Sequence, residues 1–233
     1  MAAPIAAARY ALYFAPAPET ALWRFGSAAI GYDAAIGADL PIPAVAGFSP
    51  ERLREITAEP RRYGFHATLK PPFRLADPTD VASFLDAVAR FAAERRPFEL
   101  PDLRVAAIGD FLALMVAGRP QALHDLADAC VESFDPWRAA MDAAEAARRG
   151  AAGLSERERD HLARWGYPYV FDRFRFHMTL SGRLGDPERS ALADALSDRL
   201  AAIAAPVPVD AITVFVQPDP AARFRVLARF PFG

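Results

Sequence analysis

Phe65-His66-Ala67-Thr68-Leu69 recurs as Phe176-His177-Met178-Thr179-Leu180, so two of the four histidines of this 233-residue chain stand in one repeated motif. From 66 to 177 the offset is 111 residues. Both copies lie in runs that read as β-strand. On a strand, residues i and i+2 point to the same face. Each copy therefore sets one imidazole beside one hydroxyl. Two facing imidazoles can serve as one general base and one general acid near neutral pH. Two threonine hydroxyls beside them can donate to phosphate-like oxygens. Together the four side chains suit phosphodiester chemistry without a metal.

The neighbours of each motif extend this pattern. In a strand expected over about 171–181, Arg173, Arg175, His177, Thr179, Ser181 and Arg183 share one parity. Phe174, Phe176, Met178, Leu180 and Gly182 share the other. The apolar parity must pack under a helix, which leaves the polar parity to a cleft or to solvent. A strand expected over 63–70 behaves alike, with Arg62, Gly64, His66, Thr68 and Lys70 alternating against Tyr63, Phe65, Ala67 and Leu69. Gly64 is expected to leave room for a ligand. Lysine and arginine total 27, yet Lys70 is the only lysine. A compact ammonium, unlike the broad guanidinium fork, is expected to meet an oxyanion there. Tyr13, on a strand over 9–14, is a candidate for holding a substrate hydroxyl.

The same succession follows each motif. Asp77-Pro78 and Asp186-Pro187 each open a helix, to about Arg95 and Ile203, and two strands follow each helix. The strands are expected near 103–108 and 111–116, joined at Gly109-Asp110, and near 207–216 and 224–230. An internal duplication accounts for this order. It predicts two related lobes whose motif strands meet across a pseudo-two-fold axis, with a cleft between them. Elsewhere, residues 20–48 are broken by Gly26, Gly31, Gly37, Pro41 and Pro43 and are expected to be loops and short pieces. Ser49-Pro50 opens a short helix to about Ala58, which Pro60 closes. A helix is expected over 121–134. Residues 136–165 read as an inserted helical hairpin, broken at Gly150 and Gly153, with capping-box spacing at Ser155 and Glu158.

Composition narrows the function classes. The chain is 53% hydrophobic and 24% charged with a net charge of −2, an ordinary globular balance. With a pI near 6.1, a broad surface for long nucleic acid is not indicated. The single Cys130 excludes an intramolecular disulfide and cysteine-rich zinc sites. No apolar run reaches the roughly 18 residues of a membrane span. The apolar start, Met1 to Ala8, lacks a basic n-region, so a cytoplasmic address is expected. No carboxylate cluster accompanies the histidines, so neither metal nor other cofactor is expected. His124 and His161 lie in predicted helices without a partner motif and read as packing histidines. Cys130 reads as a buried small hydrophobe, and Trp23, Trp137 and Trp165 as core.

The paired elements resemble the 2H phosphoesterase superfamily, named for two His-x-(Thr/Ser)-x elements. Over nearly the whole chain the sequence is similar to one subgroup, through Arg-Tyr-Gly-Phe-His-Ala-Thr-Leu-Lys (Arg62 to Lys70) and Phe-Arg-Phe-His-Met-Thr-Leu (Phe174 to Leu180). That subgroup has no assigned activity and is often encoded with phosphonate-utilisation genes. The resemblance implies an α+β fold, bilobal and duplicated, as one domain over 1–233. Two antiparallel β-sheets would line a central groove, with helices outside. It implies His66 and His177 as acid and base, and Thr68 and Thr179 as ligands of phosphate oxygens. Lys70, Arg175, Ser181, Arg183 and Tyr13 are the candidate substrate-binding residues.

Superfamily activities include opening of 2′,3′- and 1″,2″-cyclic phosphates, 2′,5′-RNA ligation and 3′-end RNA trimming, none needing a metal. The expected function is hydrolysis of a small cyclic phosphodiester, a cyclic nucleotide or sugar phosphate. The phosphonate association points to phosphoribosyl 1,2-cyclic phosphate. An RNA-processing 2H enzyme, a 2′,5′ ligase or 3′-end phosphodiesterase, is the alternative, and the near-neutral charge suits it less. A non-catalytic nucleotide or RNA binder is the third class, against which the two intact motifs speak. The expected partner is a small phosphorylated substrate, with RNA less favoured and no membrane.

Overall fold

The computed structural model describes residues 8–142, 147, 150, 153–203 and 205–233. Its elements are β1 (Arg9–Phe14), α1 (Ala21–Ile30), β2 (Tyr32–Asp33), β3 (Ala38–Asp39), α2 (Pro50–Ile56), α3 (Ala58–Tyr63), β4 (Ala67–Phe73), α4 (Val81–Ala93) and β5 (Phe98–Leu100). They continue with β6 (Leu103–Ile108), β7 (Phe111–Val116), α5 (Gln121–Ser133), α6 (Glu156–Trp165), β8 (Met178–Thr179), α7 (Asp186–Ala201), β9 (Val207–Val209), β10 (Ala211–Gln217) and β11 (Arg225–Pro231). The fold is α+β. A seven-stranded antiparallel sheet runs β11-β10-β1-β4-β8-β7-β6. The two motif strands, β4 and β8, are neighbours joined by one registered pair, Ala67 opposite Met178. Helix α4 packs on β10 and β11, α5 on β4, and α7 on β6 and β7. No helix among the described residues is long and apolar enough to cross a membrane.

The order after the motif strands repeats as helix, short strand, hairpin. The short strands β5 and β9 pair with each other. The hairpin β6–β7 that follows the first motif lies beside the second motif strand. The hairpin β10–β11 that follows the second motif lies, through β1, on the side of the first. Each half thus completes the sheet around the other half's motif.

Several boundaries differ from the sequence reading. Residues 20–48 contain a full helix, α1. Thr20 caps it, its Oγ1 accepting from the Trp23 N–H at 3.2 Å, and Gly31 ends it at φ 74°. Gly26 does not break this helix, because the ring of Phe65 takes the space beside it. A Cβ on Gly26 would lie 2.2 Å from that ring. Pro60 does not close a helix. It is the third residue of α3, where a backbone N–H has no intrahelical acceptor to lose. Strand β4 begins only at Ala67 and continues through Pro71-Pro72 to Phe73. Helix α4 starts later than Asp77-Pro78, at Val81, with the Asp80 Oδ1 accepting from the Ser83 N–H at 2.8 Å.

The second motif strand is reduced to Met178–Thr179, because a 3₁₀ turn occupies Phe171–Arg173. Of the expected helical hairpin, residues 136–142 are not helical, and much of 143–152 lies outside the described residues, as does the apolar start over 1–7. Helix α6 has the capping box foreseen at Ser155 and Glu158.

Lys70 is the main correction. The register of β4 against β1 shifts on both sides of the pair Leu12 and Lys70. A one-residue shift turns side chains to the opposite face of a sheet. Thr68 and Lys70 therefore do not share a face, although their spacing says they should. Lys70 is 1% exposed. Its Nζ donates to the Val131 carbonyl at 3.0 Å and lies 3.5 Å from the Asp135 Oδ1. Burial pushes the amine down to about 8, and the Asp135 charge opposes that. The lysine ties β4 to the C-terminal turn of α5, where helix carbonyls favour a cation. Lys70→Met is expected to cost about 2 kcal/mol in chemical denaturation, the worth of a charge-assisted hydrogen bond. The folded variant should keep its affinity for phosphate. Weakened phosphate binding at unchanged stability would return Lys70 to the groove.

Candidate active site

The site is built around the Ala67–Met178 pair. Antiparallel register carried one residue either way sets His66 opposite Thr179 and Thr68 opposite His177. Each histidine thus stands, in register, across the two strands from the other motif's threonine. All four side chains line one groove of about 530 Å³. The apolar parity, Phe176, Met178 and Leu180, is buried beneath it, as expected.

Both histidines are oriented in the same way. The Nδ1 of His66 lies 2.8 Å from the Gly64 carbonyl, and the Nδ1 of His177 lies 2.8 Å from the Arg175 carbonyl. A carbonyl can only accept, so each Nδ1 carries the proton and each neutral Nε2 holds a lone pair. The Thr68 Oγ1 lies 3.3 Å from the His66 Nε2.

Gly64 makes the first orientation feasible. It sits at φ 81°, and a Cβ there would come within 2.7 Å of the Ala34 Cβ. Glycine is needed for the backbone turn that aims the carbonyl, more than for the ligand space expected from the sequence.

Aromatic rings desolvate the first imidazole. Tyr13 stacks on His66 with centroids 3.6 Å apart, and Phe215 lies at 6.0 Å. Tyr63 lies 6.5 Å away and itself stacks on Phe224. Burial pushes His66 down to about 4; the Gly64 carbonyl opposes this and the charge of His177 adds to it. Burial also lowers His177, opposed by the Arg175 carbonyl and helped by the Arg175 charge. These shifts favour two neutral imidazoles at pH 7.

The other candidates divide. Tyr13 lies in the groove, stacked on His66. Arg183 reaches its rim, with an 89% exposed side chain whose Nε is 3.4 Å from the Asp110 Oδ2. Ser181 lines the wall, but its hydroxyl accepts from the Leu112 N–H at 3.0 Å and donates to the Gly182 carbonyl at 2.9 Å. It pins the end of β8 in place of a ladder bond, a correction to its expected role. Arg175 lines a second compartment beside the groove, and its backbone serves His177. Lys70 lines neither space.

Sequence reasoning missed Arg9, Tyr63, Phe111 and Tyr167, which also line the groove. Arg9 could have been found, since it shares strand parity with Tyr13. Tyr167 comes from a loop and Tyr63 from the end of α3, where a strand was expected, while Phe111 opens a strand whose bounds were read correctly.

The second compartment, of about 570 Å³, shares Thr68, Phe111, Tyr167 and His177 with the groove and adds Tyr169, Phe171 and Phe174. Phe171 adopts φ 54°, uncommon for a bulky residue and a form of strain concentrated at ligand sites. His161 holds the segment, its Nδ1 3.3 Å from the Pro168 carbonyl and its Nε2 3.4 Å from the Asp172 Oδ1. Among the described residues, no group of three or more His, Cys, Asp or Glu side chains is placed to hold a metal.

Residues 68–225 match a family described as a protein of unknown function, DUF1045. The chain belongs to that family. It is 38% identical over 230 residues to a ribose 1,5-bisphosphate phosphokinase PhnN of Janthinobacterium sp. (strain Marseille), covering 97% of this chain and 51% of that protein. It is 35% identical over 219 residues to the protein of the same name from Laribacter hongkongensis (strain HLHK9), covering 94% and 50%. The chain thus spans about half the length of the curated relatives it matches.

Among solved structures, E. coli LigT complexed with 3′-AMP is 14% identical, covers 97% of this chain and 98% of its own, and has a TM-score of 0.41. TT0787 of Thermus thermophilus is 15% identical, covers 96% and 97%, and has a TM-score of 0.43.

Two measurements probe the geometry. The ring proton resonance of His66 should titrate near pH 4 in the free protein, and phosphate should raise the midpoint because an anion favours the imidazolium. A midpoint near the ordinary value of about 6.5 would show an unburied ring. Gly64→Ala should cost about 1–3 kcal/mol in denaturation from the strained backbone alone and should move that titration, since the orienting carbonyl shifts. An unchanged titration would detach Gly64 from His66.

Proposed function

We propose that this chain is a phosphodiesterase that opens a small cyclic phosphodiester by two-histidine acid–base catalysis without a metal. One observation carries the reading. Two imidazoles, each with its Nδ1–H given to a carbonyl two residues back, line one groove beside two threonine hydroxyls. His66, the more deeply desolvated, takes the proton from water as the water oxygen attacks phosphorus. His177 gives its Nε2 proton to the leaving oxygen as that P–O bond breaks. The Thr68 and Thr179 hydroxyls donate to the non-bridging oxygens, where charge builds. Bound phosphodiester, an anion, supplies the charge that lets His177 hold its proton.

The relatives suggest the sugar. They are named for a kinase acting on ribose 1,5-bisphosphate and are about twice as long as this chain. The sequence here has no Gly-x-x-x-x-Gly-Lys-(Ser/Thr) loop, and its one lysine stands in Thr68-Leu69-Lys70-Pro71. The shared half reads as a different step on the same sugar. Adding water to a 5-phosphoribosyl 1,2-cyclic phosphate, with the sugar O2 as leaving group, gives ribose 1,5-bisphosphate. That is the compound for which the relatives' kinase is named. A nucleotide or RNA-end substrate is the second reading, favoured by the aromatic compartment beside His177, where a base would stack.

Purified protein should open cyclic ribose phosphates in the presence of a chelator. His66→Ala and His177→Ala should each lower kcat by about 10²–10⁴-fold, and the double variant should be little worse, since acid and base act as a unit. Thr68→Ala and Thr179→Ala should cost less, about 10²-fold. The base must be unprotonated and the acid protonated. The profile of kcat/KM should therefore rise through about pH 4 and fall below the ordinary histidine value of about 6.5. These limbs belong to the coupled pair. The kcat profile should shift toward neutrality, because bound anion favours the imidazolium. A strict divalent-metal requirement, or full activity without either histidine, would rule out this mechanism. Turnover of RNA ends alone would move the substrate to the second reading.

A further inference from the structure

Arg9 lines the groove, and nothing in the two-histidine reaction uses it. It lies on the same face of β1 as Tyr13, the residue stacked on His66. Four strand residues separate their Cα atoms by about 13 Å. The Arg9 guanidinium lies beside Phe224, whose ring is 6.5 Å from that of Tyr13, so it stands one ring removed from the residue stacked on His66.

Its head group is held by a built support. The Arg9 Nε donates to the Gln217 Oε1 at 2.7 Å, and the two residues face each other in the β1–β10 register. Gln217 is 0% exposed, and its Nε2 donates to the Ala222 carbonyl at 2.7 Å. A buried amide is costly unless both ends are bonded, and here one of its bonds is to the guanidinium. The guanidinium carbon also lies 5.4 Å from the centre of the Phe224 ring, which stacks in turn on Tyr63. A buried amide on one edge and an aromatic plate on one face fix the plane of the guanidinium at the groove wall. An arginine held in that way loses little freedom on meeting an anion. Its planar fork matches the oxygens of a phosphate.

We propose that Arg9 binds a second phosphate on the substrate, a monoester carried on the far side of the sugar from the scissile cyclic diester. This rests on the phosphodiesterase reading and assigns the residue that selects cyclic phosphodiesters bearing a terminal phosphate over those without one. Two threonine hydroxyls suffice for the singly charged diester. The doubly charged monoester calls for a cation; of those the sequence offered, Lys70 is buried elsewhere, Arg175 lines the second compartment, and Arg183 lies at the exposed rim beside Asp110.

The test compares kcat/KM for ribose 1,2-cyclic phosphate with and without a 5-phosphate. Wild type should prefer the phosphorylated probe by about 10- to 100-fold, the range supplied by one or two charge-assisted hydrogen bonds. Arg9→Ala should bring that ratio toward one. Arg9→Lys keeps the charge and loses the fork and the Gln217 bond, so its ratio should fall between the two; it also stands in should the alanine variant fail to fold. Absence of a preference in wild type, or a preference that survives in both variants, overturns the proposal.

Calorimetric binding of ribose 5-phosphate separates this claim from the reaction itself. If wild type opens neither probe, but Arg9→Ala weakens ribose 5-phosphate about tenfold or more, hydrolysis fails and the phosphate site stands. Equal affinity in wild type and Arg9→Ala removes the site whatever the catalysis.

Discussion

The structure depends on a single backbone pairing, Ala67 opposite Met178. It joins the four strands on one side of the sheet to the three on the other, and among the described residues it is the only registered pair between β4 and β8. Register at that point also sets the chemistry. A slip of one residue would turn each motif over, burying the imidazoles and exposing Phe176, Met178 and Leu180. The core forbids that slip, since these three side chains are at most 3% exposed. The hydrophobic pattern that folds the second motif therefore also fixes which way its histidine faces. Gly26 strengthens the same constraint on the first motif by admitting the Phe65 ring against α1, one residue before His66.

The electrostatics follow from that placement. Stacked against Tyr13 and near Phe215, His66 is held at about 4. Against an ordinary value near 6.5, its charged form is disfavoured by about 3 kcal/mol. The same desolvation strengthens any interaction with a bound anion. An anionic phosphodiester brings the charge that offsets the penalty. In the proposed reaction, an anion in the groove thus turns two bases into an acid–base pair.

Much of this was legible in the sequence, and the exceptions have identifiable causes. The duplicated His-x-Thr pair, the repeated order after each motif and the strands at 103–108 and 111–116 could be read directly, because each is a local pattern with an alternating or helical period. Helix α1 was hidden, since Gly26 counts as a breaker in isolation and is explained only by a ring 39 positions away in the chain. Lys70 misled for a similar reason. Strict alternation assigns it to the face of Thr68, and the register shifts between β1 and β4 turn it over. A bulge leaves little trace in one strand's sequence, because it is a property of two strands in register. Ser181 had the right parity and the wrong role, its hydroxyl being taken by the backbone of β7.

The fates of Lys70 and Arg9 together show how the fold distributes its cations. The sole lysine is slender enough to run through the core and end on the Val131 carbonyl beside Asp135, a position where a planar fork would fit badly. The groove wall offers the converse environment. A buried amide edge and an aromatic face there suit a flat, delocalised head group, and an arginine occupies them. Each cation is matched to its surroundings by shape and by the geometry of its donors. The polar character of the groove follows from that sorting. Hydroxyls and imidazoles, all able to change their hydrogen-bonding role, share the groove with the permanent charges of Arg9 and of Arg183, the latter at its exposed rim. A reaction that moves protons at its centre benefits from this arrangement. The Arg175 charge already lowers His177, and a further fixed cation between the two imidazoles would hold both of them neutral and remove the acid of the proposed reaction.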